Sequence, residues 1–236
     1  MQSISLLFKV LWSPGEAMFL LSKNPKVLAP ILFLTLFSIV TASVLVVKVD
    51  TVELTMRTIE KSSRGATLSD EQKAQLRRQI DSPVVKGFTF VSAVLGAPLM
   101  LLIVTAVYFA LFTMLGREGG FKAFFSITAY AFVPTIFRSL AAILSAYVVP
   151  ASSLMLDEFG SLSPAVFLDR DSVSPVAFVA VNTIDLVSIW VLILLGIGYG
   201  FVTRKSLSKT SRAAAIVGVF LLYVAFRLGS AAVRGI

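Results

Sequence analysis

The chain has 236 residues, of which 57% are hydrophobic and 14% charged, with a mean hydropathy of +0.89 and a formal net charge of +8. Soluble domains are about 45–50% apolar and about 25% charged, so both figures are displaced in the direction a bilayer demands. His and Cys are both absent. That removes imidazole acid/base catalysis, Ser-His and Cys-His dyads, thiolate zinc sites and disulfides, so neither a cofactor nor a metal is expected. The basic residues sit at the ends of apolar runs and form no stripe on a soluble face, which points to lipid headgroups and topology control and away from nucleic acid.

In chain order, the first feature is a short N-terminal segment. Ser13-Pro14-Gly15-Glu16 combines a capping Ser, Pro at the first helical position and Glu at the third. Asn24-Pro25 then stops the helix. It carries Met18, Phe19, Leu20 and Leu21 and follows Leu6, Leu7, Phe8, Leu11 and Trp12. Trp and Lys among so many apolar residues suit the headgroup boundary, so residues 1–26 are expected to lie on the cytoplasmic leaflet. No cleavable signal peptide is expected, because the first long apolar run is of spanning length.

Five such runs follow: 28–47, 87–115, 124–149, 178–202 and 213–233. At roughly 20 residues per crossing they give an all-α, polytopic membrane protein with five transmembrane helices in one domain over 27–233. The third run is interrupted by Pro134 and Arg138, and the fourth contains Asn182 and Asp185. Between the first two runs, residues 48–86 are expected to be helical. Ser69 and Gln72 have capping-box spacing, and Val52, Met56 and Ile59 form a narrow apolar stripe. This loop reads as helical extensions of the spans, with a dedicated binding module as the other possibility.

The connections set orientation. Lys9, Lys23 and Lys26 precede the first span, Arg117 and Lys122 separate the second from the third, and Arg204, Lys205, Lys209 and Arg212 separate the fourth from the fifth. The 150–177 loop instead holds Asp157, Glu158, Asp169 and Asp171 against Arg170. The positive-inside rule therefore puts the N-terminus in the cytoplasm and the C-terminus outside, as expected in a bacterial cytoplasmic membrane. The basic 48–86 loop dissents, with its Asp and Glu nearly balancing it.

Three stretches together resemble the Yip domain family of Ypt/Rab-interacting integral membrane proteins, in its prokaryotic branch. They are LWSPGEAMFLLSKNPKVLAPILF, GGFKAFFSITAYAFVPTIFRSL with the Tyr130 and Pro134 spacing, and NTIDLVSIWVLILLGIGYGFVTRKSLSKTSRAAAI. The resemblance implies five spans with a cytoplasmic N-terminus. Eukaryotic members are linked to Rab GTPases and trafficking. The Asp-Leu-Tyr-Gly-Pro signature and the long N-terminal domain of those members are absent here, so the resemblance does not carry Rab-type GTPase binding to this chain.

Arg138 is the most expensive residue to insert, at roughly 2.5–3.5 kcal/mol for an Arg at helix centre, and so needs a partner. It lies about 18 Å below Pro150 at about 1.5 Å per residue, and Asp185 lies about 15 Å below Pro175. An intramembrane Arg138–Asp185 pair is expected, with Asn182 or Tyr130 filling the remaining hydrogen bonds. Its role is either a packing lock or the lining of a substrate or proton path. Gly196 and Gly200 have the spacing for close helix packing. Arg204, Lys205, Lys209 and Arg212 are candidate contacts for lipid headgroups. Proteolysis in the membrane is disfavoured, since a metal HExxH site needs His and an aspartyl site needs two carboxylates. The expected role is non-enzymatic: an organiser or adaptor that binds other membrane proteins, itself or lipids. The alternative is a small transporter or channel component with a polar path along Arg138 and Asp185. A lipid-modifying enzyme ranks third.

Overall fold

The structure, a computed structural model, describes residues 2–60, 65–116, 119–149, 159–168, 172–203 and 207–234. Arg117, Arg204 and Lys205 lie outside them, as do Lys61, Arg64, Asp157, Glu158, Asp169, Arg170 and Asp171. The described residues form helices and turns without a strand. The helices are α1 (Gln2–Trp12), α2 (Pro14–Lys23), α3 (Leu28–Lys48), α4 (Thr51–Glu60), α5 (Asp70–Ile80), α6 (Pro83–Met114), α7 (Phe121–Ala131), α8 (Ile136–Val148), α9 (Pro175–Thr183), α10 (Leu186–Val202) and α11 (Lys209–Arg234).

Helices α3, α6 and α11 are each long and apolar enough to cross a bilayer, as is the α7–α8 run from Phe121 to Val148. A fifth crossing is available if α9 and α10, bent by 49° at their junction, count as one broken span. Half of the α7–α8 run is buried inside the protein, against 17% for α3 and α6 and 11% for α11. Leu32, Leu36, Ile103, Leu222 and Phe226 accordingly present bare apolar side chains. Water would penalise that surface at about 25 cal/mol per Å², whereas lipid covers it without cost. The protein is an integral, all-α, multi-pass membrane protein. Helix α6, 32 residues or about 48 Å long, exceeds a hydrocarbon core of about 30 Å and must tilt or protrude.

Three expected outlines change. The third span is not one helix: α7 ends at Ala131, a 3-10 turn occupies Val133–Thr135, and α8 starts at Ile136. Pro134 has no N–H to give and its ring crowds the carbonyl four residues back, and here the ladder breaks. The fourth is broken at Ile184–Asp185, where Ile184 takes an extended backbone (φ −98°, ψ 91°). The N-terminal segment is two helices, split at Ser13, and Ser13 makes no side-chain cap. Glu16 pairs with Lys9 of α1, so its carboxylate serves the α1–α2 joint.

The chain divides into two compact units. Unit 1 comprises residues 1–36, 95–136 and 187–223. Its centre is Tyr199, fully buried, with Tyr108, Phe112 and Phe124 at ring separations of 4.8–5.4 Å. The Tyr199 hydroxyl lies 2.7 Å from Thr128 Oγ1, which also bonds the Phe124 carbonyl at 2.9 Å. Helices α1 and α2 are part of this unit: Leu6, Leu7, Val10, Ala17, Met18 and Leu21 are buried against α7 and the 3-10 turn. Ser126 fixes the chain after α2, accepting from the Lys26 N–H (2.9 Å) and donating to the Lys26 carbonyl (2.7 Å).

Unit 2 comprises residues 37–94, 137–186 and 224–236. Here α4 and α5 pack on each other, with Glu53 accepting from Arg57 at 3.1 Å and Arg77 at 2.6 Å. Helix α5 begins with the full reciprocal Ser69–Gln72 capping box. Of the expected stripe on α4, Met56 is buried while Val52 and Ile59 are half-buried; the second buried residue is Leu54. Leu54 and Val49 pack with Leu45, Ala146 and Phe159.

Candidate functional site: an ion pair at a helix break

Within unit 2, Arg138 stands in the first turn of α8 and Asp185 in the gap between α9 and α10. The guanidinium grips the carboxylate with two parallel bonds, Nε to Oδ2 at 2.7 Å and Nη2 to Oδ1 at 2.6 Å. The Asp185 side chain is only 5% exposed, that of Arg138 38%. A planar fork on a carboxylate is the strongest ion-pair geometry available to side chains. In hydrocarbon it also serves the cation that would otherwise be the costliest group to insert.

The local sequence explains why α10 starts where it does. Asn182, Thr183 and Asp185 favour caps and turns over helix interiors. Thr183 turns its hydroxyl back to the Val179 carbonyl at 2.6 Å, and the helix ends. Asp185 then directly precedes Leu186, so its negative charge lies at the positive end of α10. Arg138 sits early in α8, where its own charge opposes the helix dipole, and the carboxylate offsets that too.

The surroundings are polar in one direction. Asn182 Oδ1 lies 2.6 Å from the Ser161 hydroxyl and 3.0 Å from that of Ser163. Ser163 is 3% exposed and also caps the short turn Pro164–Phe167, accepting from the Ala165 N–H at 3.1 Å. The segment reaches α8 through Gly160, which has a φ of +72°. A Cβ there would lie 2.6 Å from the Arg138 carbonyl oxygen and 2.9 Å from Ala142 Cβ, so both the backbone angle and the space require glycine.

The structure thus brings Arg138 and Asp185 together, with Asn182 in an adjoining serine cluster. Tyr130 is placed otherwise. Its hydroxyl donates to the Ser3 carbonyl of α1 at 2.9 Å, because α7 turns that face toward the N-terminal helices. Gly196 and Gly200 also depart from expectation. A Cβ at either position would meet nothing within 4 Å, so neither provides a close helix approach inside the described chain. The close approach is at Gly198, where a Cβ would lie 2.3 Å from Ile127 Cγ2 and 3.1 Å from Met18 Sδ. Of the basic loop, Lys209 is exposed at the start of α11, and Arg212 donates to the Leu207 carbonyl at 3.0 Å. Sequence reading missed Ser161, Ser163 and Gly160. A Gly-Ser-x-Ser run just before Pro164 is their only signal, and it reads as an ordinary turn.

No curated protein and no solved structure matches the chain significantly. The family model described as the Yip1 domain matches residues 8–229, from α1 to near the end of α11, taking in both units and the ion pair. The chain belongs to the Yip1 domain family.

Proposed function

We propose that the protein is a non-enzymatic organiser or adaptor of the bacterial cytoplasmic membrane, its N-terminus cytoplasmic and its C-terminus outside. Residues 1–26 serve as the interfacial arm of a membrane domain spanning 27–233. The observation that carries this reading is the double-sided character of α1 and α2. One face is buried on α7, while Ile4, Phe8, Trp12, Phe19 and Leu20 are exposed, Trp12 by 70%. An apolar face held on a packed scaffold is a contact surface for lipid or for another membrane protein. Helix α11, the least buried crossing, offers a second such surface for self-association. The Arg138–Asp185 pair acts in this reading as a packing lock. Nucleic acid and Rab-type GTPases are not among the proposed partners.

Crosslinking in native membranes followed by capture in mild detergent tests the reading. Specific species should be recovered with the native chain and lost on Phe8→Ser/Trp12→Ser/Phe19→Ser. Identical recovery from both chains would remove the arm from the proposal.

The broken fourth crossing favours a second reading, a small transporter or channel component. Interrupted helices with a charged residue at the break are a recurring way to line a polar path. A cysteine introduced at Ser139 or Asn182 decides between them. Fast modification by a membrane-impermeant thiol reagent favours the path, and resistance favours the organiser.

A further inference from the structure

Unit 2 holds a second polar feature, away from the ion pair. An open cleft of about 530 Å³ between α4 and α5 is lined by Asp50, Val52, Ala74, Arg77, Arg78 and Asp81. Its depth follows from the chain. Asp50 comes two residues after Lys48, the last of α3, and Asp81 two residues before Pro83, the first of α6. The walls therefore stand where two spanning helices leave the hydrocarbon. Lys48 Nζ lies 5.4 Å from the centre of the Tyr147 ring, a pairing at home in the headgroup layer.

The lining carries two cations and two anions, and most of that charge is already used. Arg77 is bound to Glu53 at 2.6 Å. Asp81 is bound to Lys86 at 2.8 Å, and this partner holds its carboxyl below the usual carboxylate range. Asp50 gives one oxygen, Oδ1, to the Glu53 N–H at 2.9 Å, capping α4. Among the described residues, the Arg78 guanidinium and the second Asp50 oxygen are left over, and neither joins an ion pair. A lone cation and a lone carboxylate oxygen on one cleft complement a ligand with a phosphate at one position and a hydrogen-bonding ammonium at another.

We propose that the cleft between α4 and α5 binds a phosphoethanolamine group, its phosphate on Arg78 and its ammonium on Asp50. The Arg fork suits phosphate oxygens, and the ammonium N–H groups suit a carboxylate. A trimethylated ammonium has no N–H to donate, and a glycerol headgroup has no positive charge for Asp50, so both bind more weakly. The group can arrive on a lipid or as the free phosphomonoester. The inference rests on the membrane placement of α3 and α6 and is independent of the organiser reading.

The test uses the full chain in micelles, equilibrated with equal amounts of phosphatidylethanolamine, phosphatidylcholine and phosphatidylglycerol of one acyl composition. Retained lipid is read by native mass spectrometry. Phosphatidylethanolamine should be retained about tenfold over the other two, the effect of one good charged contact. Arg78→Gln should lower retention of all three, since each carries the phosphate that Arg78 holds. Asp50→Asn, which keeps a capping side chain on α4, should abolish the preference over phosphatidylcholine. Displacement by excess soluble phosphoethanolamine would identify the free group as sufficient, and lack of displacement would identify the lipid; either outcome upholds the site. Equal retention of the three lipids by the native chain, undiminished selectivity in Asp50→Asn, or undiminished retention in Arg78→Gln would overturn it. The first of those results requires no variant to fold.

Discussion

The two compact units solve the same problem with different chemistry. Each must hold helices together in a medium where apolar side chains gain nothing by leaving solvent, so packing and hydrogen bonds carry the association. Unit 1 does it with close aromatic contact around Tyr199 and with hydroxyls that answer backbone groups: Thr128, Ser126 and Tyr130. Unit 2 does it with charge, through the Arg138–Asp185 fork, while beyond the apolar spans Glu53 and Arg77 join α4 to α5. The difference lies in tolerance. Aromatic contact is lost in proportion to the atoms removed, whereas an ion pair in hydrocarbon becomes a liability once one partner goes.

The largest effect is expected at the centre of unit 1. Tyr199→Ala empties a fully buried site touched by three other rings, and should cost about 3–5 kcal/mol. Tyr199→Phe keeps the ring and removes only the hydroxyl. Thr128 still bonds the Phe124 carbonyl, so the cost should stay near 1 kcal/mol or below. Unfolding in mixed micelles with increasing sodium dodecyl sulfate measures both. Near-equal losses would mean that the hydroxyl, and not the ring packing, holds this unit.

At unit 2 the expected pattern is non-additive. Asp185→Leu leaves the Arg138 cation without its carboxylate and should cost about 2–3 kcal/mol, somewhat less than a fully buried pair because Arg138 is partly exposed. Adding Arg138→Leu should recover at least 1 kcal/mol of that loss, since the double variant has no charge left to solvate. A double variant no better than the sum of the singles would show that the fork contributes no coupling.

Much of this was readable from apolar runs and capping residues. Hydrophobic stretches of spanning length mark the crossings, and Ser69 with Gln72 marks the start of α5 because a reciprocal cap depends only on local spacing. Depth counting set Arg138 and Asp185 within reach of each other, and they stand 2.6–2.7 Å apart. Counting could not show that span four breaks there, because an apolar run has the same composition whether continuous or bent. The Asn-Thr-x-Asp cluster is the available signal, since its side chains favour helix ends. Tertiary choices were less legible still. Tyr130 could face either neighbour from its position on α7, and α1 lies beside it only because Leu6, Leu7 and Val10 bury on the same surface.

Glycine gives the smallest and most discriminating test, because of the three glycines in Gly196-Ile197-Gly198-Tyr199-Gly200 the middle one is crowded and the outer two are not. Gly198 faces Ile127 and Met18 so closely that a methyl group must displace Ile127, whereas Gly196 and Gly200 have open space where their Cβ would be. Gly198→Ala should therefore destabilise by about 1–2 kcal/mol, the usual cost of overpacking, lessened by the flexible thioether of Met18. Gly196→Ala and Gly200→Ala should be neutral or stabilising by up to about 1 kcal/mol, through helix propensity alone. Melting temperature alone would not separate packing within one chain from packing between chains, so each variant is also sized by crosslinking in native membranes. A loss of dimer in Gly196→Ala or Gly200→Ala, with stability unchanged, would assign those two glycines to self-association. Dimer retained in both would leave the open face of α10 to lipid. The Gly198 result stands apart from this choice, since its neighbours belong to the same polypeptide.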